Sequence, residues 1–181
     1  MNEPMKIQSR PKGQATLVIL CCALLTASTY WTATARAESG TEQFDSQMQP
    51  ILGSYLKVGD ALAADSLNVV RAEAERIHRL AGKLDPSAVT GEHASHYEDV
   101  PAKLESASAA LAKTKTLEEA RATYKKLSMA MGMWASMSKP KGVNVVYCPM
   151  AKGSWLQEEG AIRNPYFGSS MLRCGQVVKG E

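Results

Sequence analysis

Aromatic residues are scarce in this chain, which has two phenylalanines and three tryptophans among 181 residues. This composition disfavours a β-sandwich, whereas the abundant alanine and methionine favour helices. Common catalytic motifs are also missing: there is no Gly-rich phosphate loop, no G-x-S-x-G elbow and no H-E-x-x-H pair. The C-terminal segment contains no histidine that could activate Cys148 as a nucleophile. We therefore expect that the protein is not an enzyme, and we assign no catalytic residue.

The sequence has one long apolar run, from Ala15 to about Ala27, and it lies near the N-terminus. Basic residues precede this run and Ala35-Arg36-Ala37 follows it, an arrangement typical of a cleaved secretory signal peptide. An uncleaved anchor reaching Trp31 is the alternative, but the run is short for a bilayer span. We predict a signal peptide over residues 1–37 and a periplasmic location. The basic residues are Lys6, Arg10 and Lys12.

Residues 38–181 have no net formal charge. Residues 1–37 contain four basic residues and one acidic residue, so they account for the whole formal charge of +3. Without a cationic field, we expect no binding to nucleic acid and none to a membrane after signal cleavage. Residues 38–181 are long enough for a single domain with a modest core.

Four segments have the apolar periodicity of amphipathic helices. The first is predicted from about Glu42 to Ala63, and the second is expected to be capped by Asp65 and to stop between Gly82 and Pro86. After a loop over residues 85–100, the third helix should span 101–113, with Pro101 in its first turn. The fourth opens with Thr116-Leu117-Glu118-Glu119, a capping box. Its predicted core face is Ala120, Tyr124, Leu127, Met131 and Trp134.

These segments predict a mainly α protein, an up-and-down four-helix bundle. An irregular segment that contains cysteine and methionine should follow over residues 139–181, with one or two short strands, the first at residues 143–147.

Cysteine is rare after residue 37, where only Cys148 and Cys174 remain. Each has a methionine close by, Met150 in Cys148-Pro149-Met150 and Met171 in Met171-Leu172-Arg173-Cys174. A cation bound by both cysteine–methionine pairs would link the two ends of the segment in one chelate. Because thioether sulfur is a poor ligand for zinc and a good one for copper(I), we predict a metal site for copper(I). Silver(I) would fit the same ligands.

A disulfide between Cys148 and Cys174 is the main alternative, since an exported protein with two cysteines usually joins them. The protein would then be a disulfide-stapled helical module that binds another protein without metal. Both states can also coexist if oxidation releases a metal that the reduced pair binds. A thiol redox protein is a third and weaker hypothesis.

Other candidate ligands are less specific. Met129, Met133 and Met137 form a stripe about 140° away from the core face of the fourth helix. We expect this stripe to pack, and to receive the C-terminal segment, rather than to relay metal. His93 and His96 could chelate zinc or copper(II) in a helix, but a solvated loop is the expected setting.

Two parts of the chain carry a resemblance. The main one is Tyr147-Cys148-Pro149-Met150-Ala151, then Trp155-Leu156, Ile162-Arg163-Asn164-Pro165-Tyr166-Phe167-Gly168 and Met171-Leu172-Arg173-Cys174-Gly175-Gln176-Val177. With Tyr55-Leu56 and Ala61-Leu62-Ala63-Ala64-Asp65, these motifs resemble an exported bacterial helical domain of formerly unknown function. That domain is also found at the C-terminus of CusB-type heavy-metal efflux adaptors. The resemblance covers about residues 48–178.

The resemblance implies a helical bundle, a periplasmic location and the handling of copper or silver by Cys148, Met150, Met171 and Cys174. Some relatives have a histidine near the start of the last helix, where this chain has Glu118-Glu119-Ala120-Arg121. Coordination by sulfur alone is therefore expected. The implied role is a stand-alone module for metal buffering, chaperoning or efflux. Its implied partners are a metal ion and an efflux adaptor or another periplasmic protein.

Overall fold

Helices come first along the chain and a small sheet follows. The computed structural model describes residues 40–91 and 94–178, so the predicted signal peptide at residues 1–37 and the imidazole of His93 lie outside the described residues. The α-helices are α1 (Gly40–Ala63), α2 (Val70–Ala81), α3 (Ala94–Leu111) and α4 (Leu117–Ser138). The strands are β1 (Val143–Cys148), β2 (Gly153–Glu158) and β3 (Gln176–Val177).

Successive helices pack against each other, and α4 also packs against α1, which closes the bundle. Short 3-10 turns at Pro86–Ala88 and Gly168–Met171 complete the elements of the described residues. The prediction of a mainly helical fold, with a bundle followed by a cysteine- and methionine-bearing segment, is confirmed. Within the described part of the chain, no helix is both long enough and apolar enough to cross a bilayer.

The bundle core is built from the apolar faces that the sequence predicts. On α1 the fully buried residues include Met48, Ile51 and Tyr55, which recur at the spacing of one helix face. The whole predicted face of α4, from Ala120 to Trp134, is buried as well. The indole Nε1 of Trp134 donates to Asp45 Oδ1 at 2.7 Å, so the one polar atom of this large core side chain is satisfied.

Helix α2 begins at Val70, later than predicted, and Asp65 does not cap it. Asp65 has a φ of 55°, in the left-handed region, whereas a helix N-cap is normally extended. Its carboxylate accepts from the backbone N–H of Ser169 at 3.0 Å and pairs with Arg121. A contact with residues far along the chain therefore replaces the predicted local cap.

Helix α3 begins at Ala94, seven residues before the predicted start, so Pro101 lies in its interior and the predicted loop is shorter. An interior proline removes one backbone hydrogen bond and opposes the helix. Burial outweighs this cost, because Tyr97 and Val100 enter the core and each such side chain contributes on the order of 1.5–3 kcal/mol. The Tyr97 ring meets Phe44 edge-on at 5.0 Å. His96 consequently lies on a helix, and the expectation of a loop is wrong there.

The start of α4 follows the prediction closely. Thr116 Oγ1 accepts from the backbone N–H of Glu119 at 3.2 Å, as a capping residue should. The Glu119 carboxylate accepts from the N–H of Lys115 at 2.9 Å, one residue before the N-cap. The predicted capping pair is therefore present, but the Glu119 carboxylate accepts from the N–H of Lys115 and not from that of Thr116, the N-cap residue.

The sheet has the order β2-β1-β3, with both pairs antiparallel. It packs on α1 and α4, where the Tyr55 hydroxyl accepts from the N–H of Leu156 at 3.1 Å and shares a 2.8 Å bond with Ser128. This docking side is not the methionine stripe. Met129 is 68% exposed, and together with Met133 it lines a groove against α3. The expectation that these two methionines receive the C-terminal segment is therefore wrong.

Candidate metal centre

The sheet register brings the two cysteines together. Strand β3 runs antiparallel to β1, with Val177 opposite Val146 and Gln176 opposite Tyr147. Cys148 follows Tyr147 directly, and Cys174 precedes Gln176 by two residues, so both lie at the same end of this strand pair. Their Sγ atoms are 3.0 Å apart. Two residues that are 26 positions apart in the sequence thus form one site.

The two sulfurs are in contact but not bonded. Their separation is longer than a disulfide bond of about 2.05 Å, and both cysteines are free thiols in this structure. Cys148 is fully buried, with 0% exposure, whereas Cys174 is half-buried. An ion or an oxidant would therefore reach the pair from the Cys174 side.

Hydrogen bonds shift the pKa values of the two cysteines in opposite directions. Burial alone would raise the pKa of Cys148, but contacts from the Cys174 thiol, the backbone N–H groups of Ala151 and Met150 and the side chain of Asn164 together lower it. The same thiol–thiol contact raises the pKa of Cys174. The Ala151 N–H lies 3.4 Å from Cys148 Sγ. Cys148 is therefore the sulfur that ionises first.

The turn between β1 and β2 holds these amides in place. Lys152 has a left-handed φ of 47°, and its N–H donates to the Pro149 carbonyl at 3.2 Å. From α4, Lys125 Nζ donates to the Ala151 carbonyl at 2.7 Å. The bundle thus anchors the turn that surrounds Cys148.

Asn164, named above only within the motif that carries the resemblance, is a positioning residue. It is fully buried, and its Nδ2 donates to the Cys174 carbonyl at 2.7 Å. Its Oδ1 accepts from the N–H groups of Tyr166 at 2.8 Å and Phe167 at 3.3 Å. Its own N–H donates to the Leu172 carbonyl at 2.8 Å. Asn164 therefore ties the Asn-Pro turn to the chain on both sides of Arg173.

Gly175 allows the chain to pass close over the sheet. Its φ is 153°, and a Cβ there would lie 2.8 Å from the Trp155 ring and 2.9 Å from a methyl of Val146. Real Cβ contacts are essentially never that short, so a larger residue would push β3 away from β1. The approach of Cys174 to Cys148 depends on this glycine.

Arg121 anchors the far side of the C-terminal segment. Its guanidinium donates to the Leu62 carbonyl at 2.9 Å and to the Pro165 carbonyl at 3.1 Å, and it also pairs with Asp65. Gly168, with a φ of 57°, packs against the same ion pair, where any Cβ would overlap with it. In the sequence, Arg121 is notable only because Glu118-Glu119-Ala120-Arg121 stands where the resemblance would place a histidine. Its contacts are tertiary and have no local sequence signal.

The two predicted methionine ligands both lie between the cysteines in the chain, Met150 just after Cys148 and Met171 just before Cys174. Met150 is on the turn after β1 and is 65% exposed, and Met171 ends the second 3-10 turn and is half-buried. The structure thus brings the cysteines into contact and leaves Met150 largely in solvent. Across residues 40–91 and 94–178, no three side chains among His, Cys, Asp and Glu are grouped as a metal site would require.

Comparison with known proteins concerns the bundle rather than this site. No curated protein and no solved structure matches the chain. One family, described as "Protein of unknown function (DUF3347)", matches residues 51–141, which is half of the chain. The matched residues run from α1 to just beyond α4 and stop before the first of the two cysteines. The chain therefore belongs to the DUF3347 family.

Proposed function

We propose that reduced Cys148 and Cys174 bind a soft monovalent cation, copper(I) or silver(I), and that the protein buffers, chaperones or helps to export this ion in the periplasm. The observation that carries the proposal is the 3.0 Å approach of the two sulfurs, which come from distant parts of the chain. Thiolate sulfur is the protein ligand that copper(I) prefers. Cys148 is also the thiol whose pKa is lowered, which favours the ligand form.

The pair needs only a small adjustment to hold an ion. Sulfurs at about 2.3 Å from one metal lie ~3.8 Å apart in a tetrahedral site and ~4.6 Å apart in a linear one. The two thiols, now 3.0 Å apart, must therefore separate by ~0.8–1.6 Å. Cys174 is half-buried and lies outside the strands, so its side chain can supply that movement while Cys148 stays in the core. Met150 and Met171 then serve as weaker, neutral donors.

An anaerobic competition titration against a copper(I) chelator tests the proposal. The full chain with Cys21 and Cys22 replaced by Ser provides the background, so that the thiols under test are Cys148 and Cys174. Replacing either of these by Ser removes a charged, polarizable ligand and should weaken copper(I) binding by a hundredfold or more, on the order of 3 kcal/mol. Met150→Leu and Met171→Leu should have smaller effects because they remove only neutral donors.

Zinc(II) is the control ion, and it should bind far more weakly than copper(I) to the same reduced protein. Helical circular dichroism is the control for folding, since the cysteines lie outside the helices. If the background protein and its Cys148→Ser, Cys174→Ser variant compete equally for copper(I), the proposal is wrong.

The disulfide-stapled interaction module is the second candidate, and the same 3.0 Å distance favours it because the sulfurs are already close to bonding range. Oxidation to a disulfide would link Cys174, which precedes β3, to Cys148 at the end of β1, without metal. Alkylation of unreduced protein followed by mass spectrometry distinguishes the two states. With the protein first stripped of metal by a chelator, two alkylated cysteines at positions 148 and 174 support the metal proposal, and their complete protection supports the staple.

We also propose export and a link to heavy-metal efflux, on the basis of the signal-like residues 1–37 and the sequence resemblance. Mass spectrometry of protein from the periplasmic fraction should find an N-terminus at Glu38. An N-terminus that retains residues 1–37 would contradict cleavage. Transfer of copper(I) from the loaded protein to a purified efflux adaptor, but not to an unrelated periplasmic protein, would support the partner.

A further inference from the structure

We propose a second, cysteine-independent site for a soft monovalent cation, formed by His96, Met133 and Met137. Helices α3 and α4 are joined by a short connection and run antiparallel, so the first turn of α3 lies beside the last turns of α4. As a result, His96 from α3 and both methionines from α4 line one open depression.

The chemistry of these side chains is specific. Met133 and Met137 are one turn apart and therefore point to the same side of α4. Thioether sulfur and imidazole nitrogen are both ligands for copper(I), whereas thioethers contribute little to a zinc site. Both methionines are half-buried, whereas His96 is exposed. Two thioethers and one imidazole are a donor set suited to copper(I) or silver(I).

The charges around the depression make this site weaker than the cysteine pair. Lys139 lines it directly. Lys103 Nζ lies 3.7 Å from Met133 Sδ and is paired with Asp99 at 2.8 Å. A cation bound to Met133 must displace this ammonium contact, and Asp99 partly compensates the local charge. The site therefore fits reversible loading or transfer of an ion rather than long-term storage.

Silver(I), which is stable in air, is the probe for this site. The test protein is the full chain with all four cysteines replaced by Ser, so its outcome is separate from that of the cysteine proposal. Titration followed by methyl NMR should shift the Met133 and Met137 signals together with the His96 ring. Met133→Leu, Met137→Leu or His96→Gln should each weaken silver(I) binding at least tenfold.

Met129→Leu is the matched control because Met129 belongs to the same stripe but lies outside this depression. It should leave the affinity unchanged. The same methyl signals can be followed in the chain with all cysteines present, so the test does not depend on the folding of the Ser variant. The proposal is overturned if no methionine methyl at positions 133 and 137 shifts, or if Met129→Leu weakens binding as much as Met133→Leu.

Discussion

Asp65 links the end of α1 to the C-terminal segment through its carboxylate. Hydrogen bonds from Ser169, followed by the bond from Arg121, lower the pKa of Asp65 to about 2 from the usual 3.8. The ionised form is therefore favoured more in the folded protein than in the unfolded chain. Because the unfolded chain binds the proton more readily, these contacts stabilise the fold at pH values above about 4.

The first prediction is that this contribution is lost as the pH falls from about 4 to about 2, which is the interval between the unfolded and folded pKa values. Asp65→Asn removes the ionisable group, so the free energy of unfolding of this variant should change less with pH across that interval than that of the wild type. Urea unfolding at a series of pH values measures the difference. Asp85→Asn is a comparison variant: the pKa of Asp85 is also lowered, by bonds to Ser87 two residues away, so this variant should also reduce the pH dependence. Parallel pH curves for wild type and Asp65→Asn would contradict the prediction.

Helix α3 carries a conflict between local preference and packing, as α1 does at its interior Pro50. Pro101 lies seven residues after the helix begins, so the carbonyl of Tyr97 lacks its usual backbone donor. Helix formation there is driven by the buried side chains on either side of this gap, Tyr97, Val100 and Leu104. The local sequence would end the helix, and the core extends it.

The second prediction concerns this proline. Pro101→Ala restores the missing N–H, and it should raise the free energy of unfolding by about 1–3 kcal/mol, after allowing for the greater freedom of the unfolded chain. Thermal unfolding followed by circular dichroism measures the change. Pro86→Ala is the matched control, since Pro86 occupies the first position of a 3-10 turn, where proline fits. That variant should gain nothing. A lower melting temperature for Pro101→Ala would show that packing of the proline ring outweighs the lost bond.

In the described part of the chain, the bundle and the sheet share one hydrophobic core that extends from Phe44 to Tyr166. Tyr55 lies at their junction, stacked on Tyr124 at 4.9 Å and bonded through its hydroxyl to Leu156 and Ser128. Tyr166 in turn meets Trp155 edge-on at 5.6 Å. The cysteine pair is therefore held by a sheet whose position depends on the helices.

The third prediction follows from that junction. Tyr55→Phe leaves the buried N–H of Leu156 without its acceptor and should destabilise the fold by about 1–3 kcal/mol. Ser128→Ala should cost less, because the Tyr55 hydroxyl keeps its bond to Leu156. In both variants the helical signal and Trp155 fluorescence, measured in a Trp31→Phe, Trp134→Phe background, should change in one coincident transition. Separate transitions would mean that the sheet and the bundle unfold independently.

Features that depend on neighbours along the chain could be predicted from the residues alone. The apolar faces of α1 and α4, the Thr116 cap and the strand at β1 follow from periodicity and local hydrogen bonds, and they were predicted correctly. The candidate cysteines were also identified, since they are the two that remain after residue 37.

Tertiary structure alone decided the features that depend on contacts between distant residues. These include the early start of α3, the role of Asp65 and the contact between Cys148 and Cys174. The strand register sets that contact, and Asn164 and Gly175 maintain it. The physical reason is that burial and long-range hydrogen bonds are worth as much as local preferences, and neither can be read from the residues on one segment.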